Sequence, residues 1–105
     1  MALRVMEIDE ISEIGIDKNE RLYIKPSNSS FPMIYREAME IGWDNTGMFL
    51  FSPKPRKWSH IDWFQQILKG TSSQGTSLQL SNETVWVNID ANFKKQIQGC
   101  GNVVT

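Results

Sequence analysis

The sequence predicts one α+β domain, a small antiparallel sheet with helices packed on one face. Three observations lead there. Apolar residues recur at every second position in some segments and at every third or fourth in others, so strands and helices are both expected. The two kinds of segment come in mixed order with short turn signals between them, without the long strand–helix–strand alternation of a parallel Rossmann-like sheet. A chain of 105 residues also suits a single core, large enough to bury roughly 65% of the surface the unfolded form exposes. The domain is expected over residues 1–98, and a loose tail over 99–105, where Gly99 and Gly101 flank Cys100.

Ile8, Ile11 and Ile14 recur every third residue among acids. That spacing predicts a short helix ending at Gly15, with an extended segment carrying Ile14 and Ile16 on one face as the alternative. Asp17-Lys18-Asn19 forms a turn before Arg21 to Lys25, where Leu22 and Ile24 alternate with polar-tipped neighbours as in a half-buried strand. Pro26 ends that strand because it has no ladder donor. Asn28-Ser29-Ser30 supplies capping side chains for a helix from about Phe31 to Ile41. Phe31, Ile34, Ala38 and Ile41 would line its buried side, with Arg36 and Glu40 paired outside. Gly42 stops it, and Asp44 to Gly47 is a tight turn between the Trp43 region and the strand Met48 to Phe51.

Pro53 and Pro55 break that strand. Ser59 then caps a second helix, with Asp62 at the third position to return the bond and Trp58 and Trp63 placed as a hydrophobic staple. Ile61, Phe64, Ile67 and Leu68 form its stripe and Gly70 its stop. Thr76 to Leu80 and Thr84 to Ile89 read as a hairpin around Ser81-Asn82-Glu83, with Val85, Val87 and Ile89 on one face and Trp86 on the other. Asp90 caps a last helix that holds Phe93 and Ile97.

Composition narrows the function classes. Apolar residues make up 40% and charged residues 22%, the balance of a folded soluble protein. Met1 to Glu13 holds four acids and no continuous apolar stretch, so neither a secretory signal nor a membrane span is expected, and the cytoplasm is the expected compartment. Cys100 is the only cysteine, so no internal disulfide can form. The net charge of −1 suits a nucleic-acid binder poorly. Even if Lys54, Arg56 and Lys57 all touched phosphate, the log–log salt slope would be only about −3. Nucleic acid is therefore not the expected partner.

Nucleophilic catalysis needs a hydroxyl or thiol beside a base, and His60 is the only histidine. Its separation from Asp62 does not bring the two together along a helix. One cysteine and one histidine cannot build a zinc site, and the singly scattered glycines form no phosphate loop. Glu37 and Glu40 stand at helical spacing as ordinary outer-face charges. Asp17-Lys18-Asn19 starts like a calcium loop, but Leu22 and Asn28 occupy the positions that need glycine and glutamate. Asn28-Ser29-Ser30 and Asn82-Glu83-Thr84 match the glycosylation pattern and read as turn chemistry in an unsecreted chain. No catalytic residue, metal or cofactor is expected.

Tryptophan is the informative remainder. Four tryptophans, two tyrosines and five phenylalanines are more aromatic surface than a small core hides, and partly exposed indoles favour interfaces. Ser52 to Phe64 concentrates two tryptophans, three cations and the histidine. Trp58, Arg56, Lys57, His60 and Trp63 are the candidate contact residues, with Trp43, Arg36 and Tyr35 reaching in from the preceding elements. The expected function is that of a non-enzymatic cytoplasmic binding protein. Its loop around 53–63 would meet a protein partner or a second copy, and a homodimer is the expected assembly. The alternative is a small ligand-binding domain or enzyme with a Trp-walled pocket, in which Arg36, His60 or Glu37 touches the substrate.

Tyr35-Arg36-Glu37-Ala38, Gly42-Trp43-Asp44, the run from Ser52 to Trp58 and Asp62-Trp63-Phe64 together resemble small bacterial orphan proteins of mobile DNA, including those of integron gene cassettes. The likeness covers the middle third of the chain. It implies a compact α+β protein, often self-associating, with no common activity and no site residues to carry over. Small immunity proteins of bacterial toxin systems are similar in size, acidity and aromatic content, a likeness of type rather than of motif.

Overall fold

The computed structural model describes residues 7–99, and the expected tail with Cys100 lies outside the described residues apart from Gly99. The elements in chain order are strand β1 (Glu7–Ile16), β2 (Leu22–Pro26), a 3-10 turn (Ile34–Arg36), β3 (Gly42–Asp44), β4 (Phe49–Phe51), helix α1 (His60–Ser73), β5 (Thr76–Gln79), β6 (Val85–Val87) and helix α2 (Ala91–Gln98). This is one α+β domain. The sheet runs β3-β4-β2-β1-β5, with β6 also on β1. β1 is its organising strand, with antiparallel β2 along one side and parallel β5 and β6 along the other. The sheet is thus mixed rather than wholly antiparallel.

The helix expected over Ile8 to Ile14 is this strand. Ile11 pairs with Pro26 and Glu13 with Lys25, so one extra residue, Ser12, is looped out as a bulge. The bulge reverses the alternation, and Ile11 and Ile14 both turn inward where an unbroken strand would put them on opposite faces. A spacing of three produced by a bulge looks the same in sequence as one produced by a helix.

The hairpin expected over Thr76 to Ile89 does not form. β5 pairs with Glu7 to Glu10 and β6 with Glu13 to Gly15, so the two follow each other along the same side of β1. The turn at Ser81 to Thr84 is a detour that spans the bulge. At that point the Thr84 hydroxyl donates to the Ile11 carbonyl over 2.7 Å and accepts the Ser81 N–H over 2.9 Å, closing the gap in the ladder. Val85 and Val87 face solvent, and Trp86 packs against the core.

The segment Phe31 to Ile41 buries the expected four residues without forming the expected helix. One 3-10 turn is followed by a reversal at Glu40, whose φ of 67° no right-handed helix contains. Gly70 also differs from expectation, because α1 continues through it to Ser73. A Cβ at Gly70 would lie 2.8 Å from the Cβ of Ala38 and 3.1 Å from Ile34 Cδ1. The missing side chain therefore lets the 34–38 segment settle against the helix, and the chain reverses later, at Gly75 with φ 90°.

The core lies between the sheet and α1. Ile11, Ile14, Leu22, Ile24, Leu50 and Leu78 meet Phe64 and Ile67, and α2 adds Phe93 and Ile97. α2 starts where expected, with Asp90 Oδ1 accepting the Phe93 N–H over 2.7 Å. The opposite sheet face carries Tyr23 over Gly15 and Phe51 over Gly42, each ring occupying the space a Cβ would need.

Asp9 is 5% exposed. Its carboxylate accepts the backbone N–H groups of Asn28 at 3.0 Å and Ser29 at 2.8 Å, together with the Asn28 side-chain amide at 3.2 Å. Burial alone would push its pKa up, but these hydrogen bonds together outweigh it and hold the pKa below 3.8. Because the folded pKa is depressed, the stabilisation is fully present above about pH 4 and is lost as pH falls through the folded value. Asp9→Asn is expected to cost roughly 1–3 kcal/mol at pH 7 and to flatten the acid limb of stability against pH. Urea titrations of both proteins from pH 7 to pH 2 measure this, and an acid limb unchanged by the substitution would contradict it.

Candidate functional site

A cleft lies where the 53–58 loop, the reversal at Glu40 and the first turns of α1 meet. It has a volume of about 390 Å³ and is lined by Met39, Glu40, Pro53, Lys54, Arg56, Lys57, Trp58, Trp63 and Gln66. That volume lies at the lower end of the range for ligand sites, roughly 300–1,000 Å³.

Local sequence chemistry fixes its aromatic wall. The Ser59 N–H and hydroxyl both donate to Asp62 Oδ2 over 3.0 Å, so the capping residues lock the first turn of α1. That lock brings the flanking residues together, and the Trp58 and Trp63 rings lie 4.7 Å apart, tilted by 45°. Trp63 is 7% exposed and forms the floor, whereas Trp58 is 45% exposed and forms a half-exposed side. Met39, 78% exposed, adds a flexible apolar face opposite.

The polar rim is mostly positive, with three cations and one acid. Lys54 Nζ lies 2.8 Å from Glu20 Oε2, and Arg56 Nη2 lies 3.9 Å from Glu40 Oε1. Exposed pairs of this kind contribute little and are readily exchanged for another anion. Lys57 makes no ion pair or hydrogen bond to any described residue. Trp63 Nε1 is a buried donor with no hydrogen-bond partner among the described residues. Leaving such a group unmet costs roughly 1–3 kcal/mol.

Of the candidate contact residues, Arg56, Lys57, Trp58 and Trp63 come together in this cleft, and four others lie elsewhere. His60 Nε2 is 2.9 Å from the Glu20 carbonyl, and its ring is 5.7 Å from that of Phe93, in a separate hollow beside α2. Trp43 packs edge-on against Phe31 at 6.0 Å, and its N–H reaches Asn45 Oδ1 at 3.4 Å. Tyr35 and Arg36 are exposed on the 3-10 turn, outside the cleft lining. Met39 and Glu40 enter the site instead, because the left-handed backbone at Glu40 redirects residues that a continuous helix would have sent outward. Gln66 joins them one turn along α1.

Among the described residues no group of three or more His, Cys, Asp or Glu stands close enough to hold a metal ion. No described helix is long and apolar enough to cross a membrane.

Comparison with known proteins adds a family. The family model described as Integron Cassette Protein Hfx_Cass5 matches residues 9–84, a span that includes the whole cleft. The chain is also similar to a solved structure, the integron cassette protein Hfx_Cass5 from the mobile metagenome of the North West Arm sewage outfall. The two share 39% identity over 90% of this chain and 95% of that one, with a TM-score of 0.47. No curated protein matches.

Proposed function

We propose that this chain, which belongs to the Hfx_Cass5 family of integron cassette proteins, is a non-enzymatic binding protein that docks a protein partner in the Trp58–Trp63 cleft. One observation carries the reading. A large indole, that of Trp58, stays 45% exposed at the mouth of an apolar cleft whose rim has an excess of cations. Tryptophan and arginine beside a desolvated pocket are the residues that dominate protein-recognition energy. The rim charge selects a partner segment in which an apolar side chain stands next to carboxylate. The cytoplasm is the proposed compartment, in keeping with a sequence whose only cysteine is Cys100.

A peptide array tests this reading. Short peptides carrying phenylalanine, leucine or tryptophan beside carboxylates, internally or at the chain end, are probed with the labelled protein and with Lys57→Glu. Acidic–apolar spots are expected to bind the wild type and to lose signal with the variant, while matched basic–apolar spots stay dark. Equal signal from acidic and basic spots would contradict the proposal. Complete competition by free phenylacetate would shift the site to a small-carboxylate pocket.

A second copy of the chain is the second reading, and Ile8 favours it. Ile8 is 67% exposed at the start of β1, between the exposed acids Glu7 and Glu10. It offers the same apolar and anionic pairing that the cleft complements. Light scattering after size exclusion decides between the two: self-association abolished by Ile8→Ser supports the second copy, and a strict monomer removes it.

A further inference from the structure

We infer that the cleft reads a chain terminus, the last residue of a partner protein, with a large apolar side chain against Trp58 and Met39 and its α-carboxylate on the Trp63 indole N–H. The inference rests on the reading of the cleft as a protein-docking site and specifies what is docked.

Buried polar groups are almost always paired, so the sealed indole N–H of Trp63, a residue that lines the cleft and has no hydrogen-bond partner among the described residues, is a donor that an arriving acceptor would satisfy. That acceptor would arrive joined to apolar matter, because Trp58, Met39, Pro53 and Trp63 line the cleft. Of the neighbours, Trp58 is the one able to give way. Its ring is half in solvent, and the loop that bears it contributes no secondary-structure hydrogen bonds to the sheet or helix. Its displacement would open the floor.

A terminal residue meets these demands better than an internal acid. Its side chain and its carboxylate hang from the same α-carbon, so one group fills the apolar wall while the other reaches the floor. One carboxylate oxygen takes the indole N–H, and the other faces Lys57 and Arg56, whose existing commitments are absent and loose respectively. Hydrogen bonds to an ionised acceptor are roughly twice as strong as neutral ones. The cleft is also small, at about 390 Å³, which suits an end rather than a segment passing through. Capture of a terminal carboxylate is a recurring mode of peptide recognition.

Calorimetry with an acetylated tetrapeptide ending in phenylalanine provides the test, run with the free acid, with the amide, and with a doubly capped peptide carrying an internal Phe-Asp pair. The amide is expected to bind at least about tenfold more weakly than the acid, the value of one charge-assisted hydrogen bond. Trp63→Phe is expected to close most of that gap. In ¹⁵N-labelled wild-type protein the Trp63 indole proton should move downfield with the acid and stay in place with the amide, a readout independent of how well the variant folds. Equal binding of acid and amide, or an unmoved Trp63 signal at saturation, overturns the inference. Binding of the internal peptide alone overturns it while leaving the docking site intact, and failure of all three peptides removes both.

Discussion

Trp58→Ala is expected to weaken peptide binding in the cleft by about 30-fold or more, equivalent to roughly 2 kcal/mol, the threshold of an interface hot spot. One property of the residue supports a loss this large. Its indole is half exposed in the free protein, so docking a partner buries fresh apolar surface, at about 25 cal/mol per Å². The same partial exposure predicts a moderate effect on the fold. The half of the indole packed against Trp63 is lost while the Ser59–Asp62 capping contacts remain, so stability should fall by roughly 1–2 kcal/mol, less than for a fully buried aromatic. Binding isotherms paired with urea melts separate the two effects. Unchanged affinity, or a melt that collapses along with the affinity, would remove Trp58 as the recognition residue.

Phe64→Ala is expected to do the reverse, costing about 3–5 kcal/mol of stability. Phe64 follows Trp63 on α1, is wholly buried, and packs in the cluster that joins the helix to the sheet. Against a typical total of roughly 5–15 kcal/mol for a domain, the loss would leave it marginal or partly unfolded at room temperature. The urea midpoint should drop sharply with little change in slope. A loss under about 1.5 kcal/mol would mean that α1 does not hold the core as described. The adjacent positions Trp63 and Phe64 thus set the cleft floor directly beside the core on α1.

The sequence made some of this legible for physical reasons that can be named. Capping is local chemistry, so Ser59 with Asp62 and Asp90 before Phe93 reveal both helix starts. The Trp58–Trp63 contact follows from the first cap, and Arg56 and Lys57 stand in the loop just before it. Long-range pairing leaves no such local trace. Nothing in Thr76 to Ile89 shows that both strands run parallel to β1, or that Thr84 repairs the ladder opposite the Ser12 bulge.

Met39 and Glu40 were hidden for a similar reason. Their place in the cleft depends on a left-handed residue and on the absence of a side chain at Gly70, some thirty positions away. His60 was conspicuous as the only histidine, yet its ring nitrogen is turned to the Glu20 carbonyl and away from the cleft. That the Trp63 N–H has no partner among the described residues could not have been read at all, because partnership is a property of the packed fold.

The most direct measurement of whether the cleft is the recognition site is amide NMR of the labelled protein during titration with peptides that carry phenylalanine beside a carboxylate. Shifts are expected to cluster at Met39, Glu40, Lys54, Arg56 to Trp58, Trp63 and Gln66. Shifts concentrated instead on the opposite sheet face, at Tyr23, Phe51, Val85 and Val87, or none anywhere up to saturating peptide, would contradict it.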